Sequence, residues 1–243
     1  MILWVVLFVL VVAISFVLAL NSMRDFQEEV PEAGEDYGLF LIRHTRGLNG
    51  LFDQLHDDLF ESGLNISFER LFKGKKSALV VFGSRKLLTK YQDFLNLLEL
   101  EDYTNVDVEG VNAWEVGVKQ NGKWTMDNGQ LFGSLPSLSD TEQFWWQLIL
   151  WVNKDNPSTK LFQNQIRAVV LSSDVIKRKN LTQTLQNLPK DLFFKVPKAF
   201  SNAQILDFYR KRSFTKKARL PDEQGKNPAL NSGQVLHKIL WYF

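Results

Sequence analysis

The chain has 243 residues, 45% hydrophobic, 13% aromatic and 23% charged, which suffices for a buried core and excludes a disordered, collagen-like or polytopic membrane chain. Its 29 Lys and Arg against 27 Asp and Glu leave a net charge of +2, too small by itself to name a partner. The absence of cysteine removes disulfides, thiolate metal sites and cysteine nucleophiles together.

Charge is segregated along the chain. Residues 151–243 carry 17 basic and 6 acidic side chains, whereas residues 1–150 carry 12 and 21. The second part therefore presents a positive field to anything anionic, and the first does not.

Residues 2–20, ILWVVLFVLVVAISFVLAL, contain no charge. As a helix they would rise roughly 28 Å, close to the hydrocarbon thickness of a bilayer. The run predicts a single-pass transmembrane anchor over residues 1–22. A cleaved signal peptide is the weaker reading, because no basic residue precedes the run although Val17-Leu18-Ala19 supplies small residues. Arg24, Arg43 and Arg46 on the carboxy-terminal side place the soluble part in the cytoplasm by the positive-inside rule. The expectation is thus an inner-membrane protein contacting the bilayer through residues 2–20. Residues 23–36, rich in Asp and Glu with Pro31 and Gly34, read as an acidic linker.

Tyr37–Arg43 (YGLFLIR) predicts a buried strand. Leu48, Leu51, Phe52, Leu55 and Leu59 recur at helical spacing with Gly63 as a stop. Asn65–Phe72 and Ser77–Phe82 read as a hairpin through KGKK. Leu87–Leu100 carries a helical stripe capped by Ser84. A final strand pair is expected over Val106–Lys119 and Lys123–Met126, turned at Asn121-Gly122. The order β-α-β-β-α-β over residues 37–126 is the ferredoxin-like pattern. Residues 127–142 form a Gly, Ser and Pro-rich linker. Residues 143–214 predict a second, smaller α+β domain: strands Phe144–Val152 and Gln165–Leu171, a helix capped by Asp174, strand 192–196 and a helix capped by Ser201. Residues 215–243 read as a polar tail ending in a short apolar segment. The expected class is α+β.

No motif indicates catalysis, a cofactor or a metal. Gly74-Lys75-Lys76-Ser77 lacks the first glycine of a phosphate loop, with Glu69 in its place, and sits in a hairpin. His44, His56 and His237 are dispersed and match no zinc-ligand spacing. Asp57-Asp58 and Glu99, Glu101 and Asp102 fit exposed helix surface better than paired acid–base catalysis. The expectation is a non-enzyme. Phe144-Trp145-Trp146 with Trp151 is the densest aromatic cluster; alternation sends Trp145 and Trp146 to opposite faces, and Trp146 is a candidate contact. No strand carries the aromatic signature of RNA-binding sheets, so a nucleic acid is the minor alternative. Lys177, Arg178, Lys179, Arg210, Lys211, Arg212, Lys216 and Lys217 are candidates for an anionic protein or lipid partner, although cations at a helix C-terminus also complement its dipole.

Five strings, LFLIRHTRGLNGLFDQLHDDLF (39–60), EQFWWQLILW (142–151), FQNQIRAVVLSSD (162–174), KVPKAFSNAQILDFYRKRSF (195–214) and LNSGQVLHKILWYF (230–243), resemble the membrane-anchored, non-catalytic amino-terminal region of uncharacterised bacterial proteins related to type IV secretion and conjugation ATPases. In longer members of that group a HerA-like motor follows. No Walker A motif occurs here, so the resemblance implies no ATP hydrolysis. It implies an assembly or docking module of a secretion or DNA-translocation apparatus, with a protein partner from that machine and with homo-oligomerisation open. At the level of architecture the chain also resembles alignment scaffolds of type IV pili and type II secretion, which carry extracytoplasmic ferredoxin-like domains; this is the alternative.

Overall fold

The structure, a computed structural model, describes residues 8, 10–16, 28–29, 36–44, 50–106, 108–118, 137–152, 160–187, 192–195, 200–215 and 229–235. In chain order the elements are β1 (Glu28–Glu29), β2 (Tyr37–Ile42), α1 (Leu51–Ser62), β3 (Ile66–Lys73), β4 (Lys76–Ser84), α2 (Arg85–Thr89), α3 (Gln92–Leu95), β5 (Leu97–Leu100), β6 (Val111–Val118), β7 (Gln143–Val152), β8 (Phe162–Leu171), α4 (Val175–Asn187), β9 (Leu192–Lys195), α5 (Asn202–Lys211) and β10 (Phe214–Thr215).

Eight strands form one antiparallel sheet in the order β5-β2-β4-β3-β7-β8-β6-β9. Within it one arrangement occurs twice. In the first half the strands lie fourth, first, third, second (β5-β2-β4-β3), which is the ferredoxin-like order. In the second half β9-β6-β8-β7 is again fourth, first, third, second. The halves join through their second strands, β3 and β7, whose ladder runs from Ile66↔Leu150 to Lys73↔Gln143. The sheet is therefore continuous and pseudo-twofold about the β3/β7 seam.

Local sequence accounts for the elements. Helix α1 begins after Gly50 at φ 86° and ends at Gly63 at φ 72°, whose N–H bonds to Leu59 O at 2.8 Å; both angles lie in the left-handed region that glycine adopts without strain. Its buried face is Leu51, Phe52, Leu55, His56 and Leu59, and the His56 ring stands edge-on to Phe162 at 5.2 Å. Helix α5 opens on a reciprocal capping box, with Gln204 N donating to Ser201 Oγ and Ser201 N to Gln204 Oε1. Asp174 Oδ1 accepts from Ile176 N and Lys177 N, capping α4.

The sheet separates two apolar layers. On one face α1, α2 and α4 pack with Phe68, Phe144, Trp146, Leu150 and Phe162. On the other, Ile205, Leu206 and Tyr209 of α5 pack with Val111, Ala113, Trp145 and Val169. Burying each such side chain contributes about 1.5–3 kcal/mol.

Several expectations are corrected. Among the described residues no helix is long and apolar enough to cross a membrane. The transmembrane helix in the expected fold, the description as a single-pass membrane protein and the inner-membrane location are corrected on that finding. The helix expected over Leu87–Leu100 is two short helices and a strand: Asn96 turns the chain at φ 47°, and Leu97–Leu100 pairs with β2, a tertiary ladder overriding helical periodicity. The strand expected at Val106–Lys119 is β6, and it pairs with β8 and β9 rather than with the first half. Most of the acidic linker, the Asn121-Gly122 turn with Lys123–Met126, the linker residues before 137 and most of the tail lie outside the described residues.

Helix α4 is held by Leu181 and Leu185, both buried, while Val175 and Ile176 at its start are exposed. Leu185→Ala should therefore cost about 2–5 kcal/mol in urea denaturation, whereas Ile176→Ser should change stability by less than about 0.5 kcal/mol.

Candidate docking surfaces and the buried charge row

The register places one residue from each strand in a straight row across the sheet: Leu98, Leu41, Val80, Glu69, Gln147, Arg167, Glu115 and Lys195. The row is apolar through β4 and polar from β3 onward. From Leu98 to Glu115 these side chains lie on the face that α5 covers, because side chains alternate along each strand. Glu69, Gln147 and Arg167 have no exposed surface, and Glu115 very little.

A buried carboxylate requires compensation, and Glu69 has it. Its Oε1 accepts from Ser67 Oγ (2.9 Å), Gln147 Nε2 (2.9 Å) and Arg212 Nε (3.1 Å), and its Oε2 from Tyr103 OH and Arg212 Nη2 (3.4 Å). Arg212 follows α5 in the left-handed conformation at φ 49°. Its guanidinium also pairs with both oxygens of Asp102 and lies 4.7 Å above the Phe82 ring, a stacked, bidentate role suited to arginine. The Tyr103 and Tyr209 hydroxyls are 2.8 Å apart. Burial and the neighbouring Glu69 charge push both well above the usual tyrosine range, so both remain neutral hydrogen-bonding groups.

Arg167 is the second buried cation. Nη1 donates to Gln147 Oε1 (3.2 Å) and to Phe208 O (2.9 Å), and Nη2 to Gln165 Oε1 (3.2 Å). Gln147 Nε2 donates to Tyr209 O at 3.0 Å. Two sheet side chains thereby bond to carbonyls in the last turn of α5, where unpaired acceptors and the negative end of the helix dipole lie. Glu115 stands 3.6 Å from Arg167 Nε and accepts from Gln165 Nε2 at 2.6 Å. Burial pushes its carboxyl upward, and Arg167 and Gln165 only partly draw it back. Burial also raises Asp102, but Arg212 and Thr104 outweigh it and hold the carboxyl below its ordinary value.

The residues expected to meet an anionic partner divide sharply. Arg212 is buried in the pairs just described. Arg210 donates from Nε to Thr104 O and from Nη2 to Val106 O, Arg178 Nη1 donates to Ser172 O at 2.6 Å, and Lys211 pairs with Asp207 at 2.8 Å. Lys177 and Lys179 face solvent on α4. Lys216 and Lys217 lie outside the described residues. Trp146 is buried on the helix-covered face, 6.4 Å from Phe144, so it presents no ring to a partner. Glu69, Gln147, Arg167 and Glu115 did not emerge from the sequence, although each is a polar residue at an interior position of an otherwise apolar strand, which was the available signal.

Because Asp102 is held below its ordinary value, its contribution to stability is present above the unfolded carboxylate pKa of about 3.9 and is lost as pH falls through the lower folded value. Asp102→Asn should therefore cost about 1 kcal/mol or less at pH 7, the half exposure of this carboxylate screening the pair. Urea denaturation should show the gap to the unaltered protein closing below about pH 3.

No protein-family model matches this chain, and no curated protein matches it.

Proposed function

We propose that the chain is a non-catalytic docking module within a larger protein assembly, of the secretion or DNA-translocation kind that its short motifs resemble. The carrying observation is the free end of α4. Val175 and Ile176 are 65% and 72% exposed, beside solvent-facing Lys177 and Lys179, on a helix whose opposite face is anchored in the core. Two adjacent β-branched side chains left in water with a basic rim have the composition of a contact surface for an acidic protein partner. The buried charge row supports the same reading, since its carboxylates and guanidinia are engaged with one another and with the α5 backbone, an arrangement that orders a scaffold. The pilus-alignment alternative differs in the partner, and its fold likeness carries no functional weight alone.

A photoreactive residue in place of Ile176 should give a discrete higher-mass adduct in cells. The same residue at Gln186, exposed elsewhere on α4, should give none. Adducts of equal yield at both positions, or at neither, would contradict the docking role.

A further inference from the structure

Outside residues 8–16, the exposed large hydrophobic side chains among the described residues are Phe94, Leu98, Val175 and Ile176. They form two pairs in opposite electrostatic surroundings. Phe94, 42% exposed, lies in α3, and Leu98, 48% exposed, lies on the sheet-edge strand β5. Leu97 is buried against the helix-side core, so alternation puts Leu98 on the other face, and Phe94 precedes the edge strand in the short helix that leads into it. Solvent-facing Asp93 and Glu101 flank them, and neither is in an ion pair among the described residues, whereas Glu99 is already paired with Arg85 at 2.6 Å. The second pair, Val175 and Ile176, has Lys177 and Lys179 as its rim, with Asp174 engaged in capping the helix.

An acid-rimmed apolar pair and a base-rimmed apolar pair are complementary, but they cannot meet within one molecule. β5 is the first strand of the sheet and β8, which leads into α4, is the sixth, a separation of roughly 24 Å at ~4.8 Å per strand. We propose that the occupant of the α4 tip is a second copy of this chain, docked through its β5 edge. This rests on the docking reading and names the partner. The contact is head-to-tail, so a pair of copies retains one unused tip and one unused edge, and association proceeds to a ring or an open row rather than stopping at a symmetric dimer. The segregation of charge between residues 1–150 and 151–243 is what such a contact requires.

The test uses two charge-reversed forms of the full chain, Lys177→Glu with Lys179→Glu and Asp93→Lys with Glu101→Lys. All four positions are exposed, so both forms should unfold at the urea midpoint of the unaltered protein. In sedimentation velocity, self-association should weaken at least ~tenfold in each form alone. It should return when the two are mixed in equal amounts, because each acidic tip then meets a basic edge and the reverse. A protein that stays monomeric, association indifferent to both reversals, or a mixture that fails to regain association would overturn the proposal. The Ile176 cross-link separates it from the docking reading. An adduct of twice the chain mass, mapped to the Phe94–Leu98 segment, supports self-association; an adduct with a different protein overturns it and leaves docking intact; no adduct defeats both.

Discussion

A carboxylate at the seam between two half-sheets has no water to stabilise it, and Glu69 sits there without exposed surface. The chain meets that demand with Arg212, which is 143 residues away in sequence. The pairing brings the end of α5 to the middle of the sheet. Asp102 and Tyr103, from the connection between the two halves, come with it. Gln147 and Arg167 then lie directly beneath the last turn of α5 and bond to its carbonyls. One buried negative charge thus couples β3, β7, the inter-half connection and α5. Replacing such a network by apolar groups need not weaken a protein; here the network fixes where α5 ends.

The doubled ferredoxin-like order explains why the cover is uneven. Both halves place α1, α2 and α4 on the same side of the sheet. On the other side the row is apolar from β5 to β4 and polar from β3 onward. Helix α5 covers the polar part and reaches the seam, where Arg212 stacks on Phe82 of the first half. Beyond the seam, Leu98 at the β5 edge stays exposed. Apolar surface therefore remains at one sheet edge and at the tip of α4, with rims of opposite charge.

Local signals in the sequence were sufficient for most elements of the fold. Alternation in ISFER, the apolar run of SALVVF, the helical spacing from Leu51 to Leu59 and the capping residues Ser201 and Asp174 each appear within a residue or two of the observed element. Non-local pairing was not legible. Leu97–Leu100 reads as helix until the free edge of β2 is known, and the residues of β6 give no hint that their neighbours are β8 and β9. The apolar amino-terminal run reads as a membrane crossing on composition, whereas among the described residues no helix is long and apolar enough to make one. The basic clusters were visible but their uses were not: the adjacent residues Arg210, Lys211 and Arg212 make a backbone clamp, an intrahelical ion pair and a buried ion pair, respectively. Those fates depend on residues 4 to 143 positions away, which neither charge counting nor periodicity reports.

Glu69 and Arg212 act as one unit, and a double-mutant cycle of Glu69→Gln, Arg212→Met and their combination, read by urea denaturation, tests this most directly. Each single change should cost about 3 kcal/mol or more, because it removes the opposite charge from a buried group that its remaining hydrogen bonds compensate only in part. The double change should cost less than their sum by at least ~1.5 kcal/mol. Additive costs would contradict the claim that this pair sets the position of α5 and the seam.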